Sequence, residues 1–323
     1  AMEAYYGSAA EGHADELAFH YSRTDGVHLR AKAGSYLAIA GRRALERRAD
    51  LEAISYLEAA FERIREDLTG DGSRLAEVLP LLARAHIHVG HFDTAAQLLE
   101  SALERVPEES PEYVALCRSL GMADVWRGQH EQASFHFARG LSAAERSGNT
   151  RAIVRLSISK AHGLHELGRG TEALETLTKA LPLAEELGDP GLLARVHRAL
   201  TLLFVWVGPP HKAIEHGNRA IELATQVGDL SIEFWARWAL AVLHGMRGDT
   251  ALLSDAIDRV NEIADRARSP VLRLWTADMS VELAFAQGDW DTGIAQGEQA
   301  ISLARDLNQR TLLPRLLVWT SQF

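Results

Sequence analysis

The chain is poor in the residues that carry fixed chemistry. It has one cysteine, Cys117, so no intrachain disulfide can form, which fits a reducing compartment. No run of about 18 consecutive apolar residues occurs, so no membrane-spanning segment is expected. No secretory leader pattern opens the chain, and a cytoplasmic location is the expectation. There is no G-x-x-x-x-G-K-[ST] phosphate loop, no H-E-x-x-H zinc motif and no G-x-S-x-G nucleophile elbow. Positive charge is in deficit: 34 lysines and arginines stand against 44 aspartates and glutamates, for a net charge of −10. General nucleic-acid binding needs a basic footprint, so that class is disfavoured. Sustained polar–apolar alternation is also missing, which argues against strands. The expectations are an all-α chain, no enzyme activity, no cofactor and no metal.

What the chain does have is period. Glycines recur at Gly90, Gly128, Gly168, Gly208, Gly248 and Gly288, in steps of 38, 40, 40, 40 and 40 residues. Alanine stands five residues after the first four: Ala95, Ala133, Ala173 and Ala213. Leu253 and Gly293 take that place in the last two. A second set of breaks falls half a period away, at Gly148-Asn149, Gly188-Asp189-Pro190, Gly228-Asp229, Ser269-Pro270 and Asn308-Gln309. Each period is therefore two segments of about 17 residues, roughly 25 Å long if helical.

The segments read as helices. In 171–187, Ala173, Leu174, Leu177, Ala180, Leu181, Ala184 and Leu187 are spaced by three and four. Thr171 is the expected cap, Gly188 the left-handed terminator, and Pro182 an expected interior kink. Pro190 suits the first turn of the next helix. The alanines let two antiparallel backbones approach near their turn. Leu99, Phe137, Leu177 and Ile257, each nine residues after a turn glycine, fill the space further along. One such pair exposes its apolar stripe, so the array is stable only by stacking. Cys117 falls inside a helix as a small apolar residue, and Trp126 and Trp206, two residues before their glycines, read as core between repeats.

This pattern resembles the tetratricopeptide repeat, best at Leu120-Gly121, Gly128, Ala133, Phe137 and Gly140, with Pro107 where that family often ends a helix. The repeat is longer than the family's usual one, about 40 residues, and is similar to variants in large bacterial signalling ATPases. The resemblance implies a right-handed superhelical solenoid of antiparallel helix pairs over residues 50–323, with a degenerate helical linker or first repeat over 1–49. Residues 16–60, including Glu16-Leu17-Ala18-Phe19-His20-Tyr21, Ala40-Gly41-Arg42-Arg43-Ala44-Leu45 and Ala53-Ile54-Ser55-Tyr56-Leu57, are similar to the segment that joins an NTPase module to its repeats in LuxR-type ATP-binding regulators and ATPase-coupled nucleotide cyclases. Ala1-Met2 reads as a cloning scar, and apolar Leu316-Leu317-Val318-Trp319 suggest a cut through the last helix.

The resemblance also implies that the first helix of each pair lines a concave groove. Positions 13, 10, 6 and 3 before each turn glycine lie about a helical turn apart and make one stripe. They give Arg118 and Met122; then Arg155, Ile158, His162 and His165; then Arg195, Arg198 and Leu202; then Trp235, Trp238 and Val242; then Trp275, Asp278, Glu282 and Phe285. A basic stretch (Arg118, Arg155, Arg195, Arg198, with His162) would adjoin an aromatic one (Trp235, Trp238, Trp275), and tryptophan and arginine are the usual interface anchors. The alternatives are tryptophans packed between helices and arginines paired with the next helix's carboxylates. His86, His88 and His91, and His162 with His165, read as helix-end histidines rather than metal ligands. The functional expectation is a non-catalytic repeat domain of a bacterial signal-transduction or transcriptional regulator, sensing a ligand or protein in its groove. Its partner would be a protein or peptide, with a small-molecule effector and a homodimer left open. The alternatives are a general protein–protein scaffold and the regulatory repeats of a nucleotide cyclase.

Overall fold

The computed structural model describes residues 5–7, 12–22, 27–47, 49–65, 73–307, 309 and 312–322; Ala1, Met2 and Asn308 lie outside them. Among the described residues there are sixteen helices of nine residues or more and no strand. The chain divides into two compact units, residues 1–148 and 149–323.

Unit 1 carries α1 (Ala14–Ser22), α2 (Val27–Glu46), α3 (Asp50–Arg65), α4 (Ser73–His88), α5 (Phe92–Leu103), α6 (Pro111–Trp126) and α7 (His130–Arg146). Each helix packs on its chain neighbour, and α2 also touches α4. Unit 2 carries α8 (Thr150–Glu166), α9 (Gly170–Leu187), α10 (Pro190–Val207), α11 (Pro210–Val227), α12 (Leu230–Met246), α13 (Thr250–Arg266), α14 (Pro270–Gln287), α15 (Trp290–Asp306) and α16 (Leu312–Thr320). Here the first helices of successive pairs, α8, α10, α12, α14 and α16, pack side by side as one layer, and each second helix packs against the first helices before and after it. This is a tetratricopeptide-like stack of helix pairs.

The small–large pattern builds the core. Ala95, Ala133, Ala173, Ala213 and Leu253 are buried at the turns, and Leu99, Phe137, Leu177 and Ile257 are buried further along. Burying one such large side chain contributes roughly 1.5–3 kcal/mol. Gly121 shows how close the helices come. A Cβ there would lie 2.6 Å from the Phe137 ring, so the Leu120-Gly121 step makes the flat seat on which Phe137 rests.

Asn149, Asp189, Asp229, Asp249, Ser269 and Asp289 each cap the helix that follows by accepting a backbone N–H. Gly188 is left-handed (φ 61°), as the terminator reading requires. Gly208 is not: it is extended (φ −135°, ψ −177°), because Pro209 follows it and the residue before a proline is pushed into the extended region. Thr171 is not the cap of α9. The helix starts one residue earlier, with Arg169 at the cap position and no side-chain cap. Pro182 lies inside α9 without ending it. Pro182 and Thr178 are both exposed, so water can satisfy the Thr178 carbonyl that lacks its helical donor. By length and composition α10 is apolar enough to cross a membrane, but it spends Leu192, Val196, Leu200, Leu203 and Val205 on the core and carries Arg195 and Arg198.

Candidate partner-binding face

The stripe expected from the register falls on the layer of first helices. Its members do not share one environment. Arg118 and Met122 sit on α6 in unit 1, both half-buried; the others belong to unit 2 and are described there.

Arg155 is exposed on α8. Arg195, one period later on α10, is tied down: its Nη2 donates to Asp229 Oδ2 at 3.0 Å, while Asp229 Oδ1 accepts the Ile232 N–H and caps α12. Arg151 and Asp189 make the same kind of link one repeat earlier, with Asp189 capping α10. These arginines fasten one first helix to the start of the next.

Arg198 is different. It is half-buried, and it makes no ion pair with a carboxylate among the described residues. It lines a small pocket between α8 and α10 with His162, His165, Ile158, Leu177 and Leu202. Burial, helped by the like charge of Arg195, lowers its pKa to about 10, and the charge of Asp229 opposes this only in part. Burial likewise lowers the pKa of His162, which keeps it neutral near pH 7.

The aromatic part is a closed triangle. Trp235 and Trp238 of α12 and Trp275 of α14 meet edge to face, with ring centroids 5.6, 5.2 and 5.3 Å apart. Edge-to-face packing contributes beyond area burial, by about 0.5–1.5 kcal/mol per pair. Trp238 is buried, and Trp235 and Trp275 are half-buried against the same cluster. The Trp238 indole N–H has no hydrogen-bond acceptor among the described residues. Leu202 joins the two regions, because it lines the Arg198 pocket and also packs against the cluster that holds the tryptophans.

At the other end of the stripe, Asp278 is fully buried and Glu282 half-buried on α14. Arg315 of α16 covers both, with Nε 2.9 Å from Asp278 Oδ2 and Nη2 3.1 Å from Glu282 Oε2. Burial raises the Asp278 pKa to about 6 despite Arg315, and raises that of Glu282 too. Arg315 was missed from the sequence. It stands forty residues after Trp275, in the column Arg155, Arg195, Trp235, Trp275, so extending the period one more step finds it.

Two expectations are corrected. Trp126 and Trp206 are not core: they are 38% and 48% exposed, at helix ends beside the turns. They pack loosely on Phe92 and His165 respectively. Two residues before the turn, a side chain has no following helix over it. Cys117 is buried, with its thiol pushed up to about 11 by burial, which suits a packing residue and not a nucleophile. His86 faces His91 (Nδ1 to Nδ1, 3.2 Å) and His88 pairs with Asp50 (2.6 Å). No three histidines, cysteines or acidic residues group as metal ligands among the described residues.

No family model and no curated protein sequence matches the chain. Solved structures do. A Rap protein complexed with Competence and Sporulation Factor matches at 18% identity, covering 93% of this chain and 81% of that one, with a TM-score of 0.65. The Rap conjugation gene regulator of plasmid pLS20, in complex with the Phr* peptide, matches at 15% identity over 88% of this chain and 77% of that one, with a TM-score of 0.63. The signal transduction ATPase with numerous domains that bears a tetratricopeptide repeat sensor, from Pyrococcus horikoshii, matches at 16% identity over 95% of this chain and 47% of that one, with a TM-score of 0.57. At these identities the likeness is one of fold.

Proposed function

We propose that the chain is a non-catalytic, partner-binding repeat domain that takes an extended peptide or protein segment on the layer of first helices in unit 2. The observation that carries this reading is the Trp235–Trp238–Trp275 triangle. It brings together two half-buried indoles from the stripe that the resemblance expects to face a partner, linked through Leu202 to a basic pocket. Large, stiff aromatic groups that a partner can finish covering are the usual source of affinity in an interface. The two similar Rap structures hold a factor and a peptide, which supports a peptide as the partner class.

The wider role we infer is sensing within a bacterial cytoplasmic signalling regulator. The support is the likeness of residues 16–60 to the segment that follows an NTPase module, together with the similar sensor-bearing ATPase. A bound partner would act by favouring one arrangement of the stack over another, which requires a difference in affinity between the two.

The test is peptide selection on the whole chain, followed by fluorescence anisotropy of the selected peptides with the wild type, Trp235→Ala, Trp275→Ala and Trp206→Ala. We expect binding at least about tenfold weaker in the first two variants and unchanged in the third. Equal binding by all four proteins removes the triangle from the partner site.

A further inference from the structure

The pocket between α8 and α10 contains an ionised side chain with nothing opposite it. Arg198 has no carboxylate in ion-pair contact among the described residues, although most other inner-layer charges do. The carboxylate whose charge does reach it, Asp229, is held by Arg195. Glu166 is exposed and outside the pocket lining, 3.9 Å from His162 Nε2. A half-buried guanidinium without a counter-charge is costly to the free protein, and such groups persist where a ligand completes them.

We propose that this pocket binds a single carboxylate, Arg198 taking it on its planar fork and His162 and His165 each adding a ring N–H. This rests on the partner-binding reading above and names the chemistry recognised there. Three features select the class. The cavity is small, about 30 Å³, and apart from Arg198, His162 and His165 its lining is apolar, with Ile158, Leu177 and Leu202 among it, which suits a compact anionic head on an apolar stem. Guanidinium geometry matches a carboxylate with two parallel hydrogen bonds. Arg198 is the one permanently charged side chain in the lining, protonated with a pKa of about 10, while burial keeps His162 neutral, so a singly charged group matches the lining better than a dianion. Leu202 continues from the pocket to the aromatic cluster, so the carboxylate would belong to a chain that presents an apolar group next to it.

The test uses the whole chain and four probes: acetyl-Leu-Glu-amide, acetyl-Leu-Gly with a free C-terminus, the neutral acetyl-Leu-Gln-amide, and inorganic phosphate. Binding is read from the NMR signals of the Arg198 side-chain N–H and the His162 and His165 rings. We expect saturable shifts with one or both carboxylate probes, and whichever is tighter tells a side-chain acid from a chain terminus. The neutral probe and phosphate should bind about tenfold more weakly or not at all. Arg198→Gln should abolish the response, and Arg198→Lys, which keeps the charge but loses the fork, should weaken it. Arg198→Met should melt higher than the wild type, since it removes an unpaired charge; a purely structural arginine would melt lower. Equal shifts from the neutral probe, a saturable response retained in Arg198→Gln, or phosphate binding as tight as carboxylate each overturn the proposal. If selected peptides still bind through Trp235 while the carboxylate probes do not, the pocket assignment fails and the partner-binding reading stands. If neither binds, both fail.

Discussion

Arg315 Nε lies 2.9 Å from Asp278 Oδ2, and this one guanidinium is the cover over a buried carboxylate pair on α14. Burial outweighs the pairing, so the Asp278 pKa rises from 3.8 to about 6. The folded state therefore holds that proton more tightly than the unfolded chain. The stability Asp278 contributes is present below about pH 4, is lost as pH rises to about 6, and is flat above that. Asp278→Asn should reduce this slope to what Glu282 contributes and stabilise the fold at pH 7 by about 1–3 kcal/mol. Urea melts from pH 4 to pH 7.5 check it; an unchanged slope in the variant means Asp278 is not the titrating group.

Removing the cover should act the other way. Arg315→Ala leaves Asp278 and Glu282 buried without a cation, and stranding a buried charge typically costs about 3–5 kcal/mol. Arg315 is itself one-third exposed, so a loss of about 1–3 kcal/mol is expected, shrinking at pH 5 as the acids take up protons. A loss that is the same at pH 5 and pH 8 would assign the effect to packing alone.

Asp229 does two jobs and Arg195 one. Asp229→Ala removes both the α12 cap and the ion pair, and should cost about 1–2 kcal/mol. Arg195→Ala removes a half-exposed ion pair and should cost at most about 1 kcal/mol. Thermal melts of the two variants should rank in that order; the reverse order would make Arg195 the main fastening.

Gly121 and Phe137 should behave as a coupled pair. Gly121→Ala drives a methyl into the Phe137 ring and should cost about 1–3 kcal/mol. Adding Phe137→Leu should recover part of that loss, which a double-mutant cycle measures as coupling. Strictly additive losses would mean the two do not touch.

Trp238→Ala and Trp206→Ala provide a direct contrast. The first empties a buried place in the aromatic triangle and should cost about 3–5 kcal/mol. Trp206 is nearly half exposed, so its variant should lose far less. Similar losses in urea melts would place Trp206 in the core after all.

The helix pairs were legible because most repeats write the same local code, Gly208 and Leu253 being departures from it. A left-handed glycine ends a first helix, a small residue lets the second approach, and a large one fills the gap nine residues on; Gly168, Ala173 and Leu177 do this. The partner stripe was legible only as a column of positions. Sequence spacing placed Arg195, Arg198, Trp235, Trp275 and Asp278 in that stripe, but it carried no information on what each would meet across the helix layer. Trp126 and Trp206 were misread for a related reason. Their apolar character suggests burial, but the end of a helix offers little to be buried against.

The sequence by itself determined the class of fold, the forty-residue period and which small and large residues form the core of each pair, because these follow from residue spacing along one chain. Only the tertiary structure decided which inward charges are neutralised. Arg195 finds Asp229 and Asp278 finds Arg315, 34 and 37 residues away, whereas Arg198 finds no carboxylate partner among the described residues. Charge satisfaction depends on distances of a few ångströms between different helices. A period of forty residues brings those helices together without fixing which side chains meet.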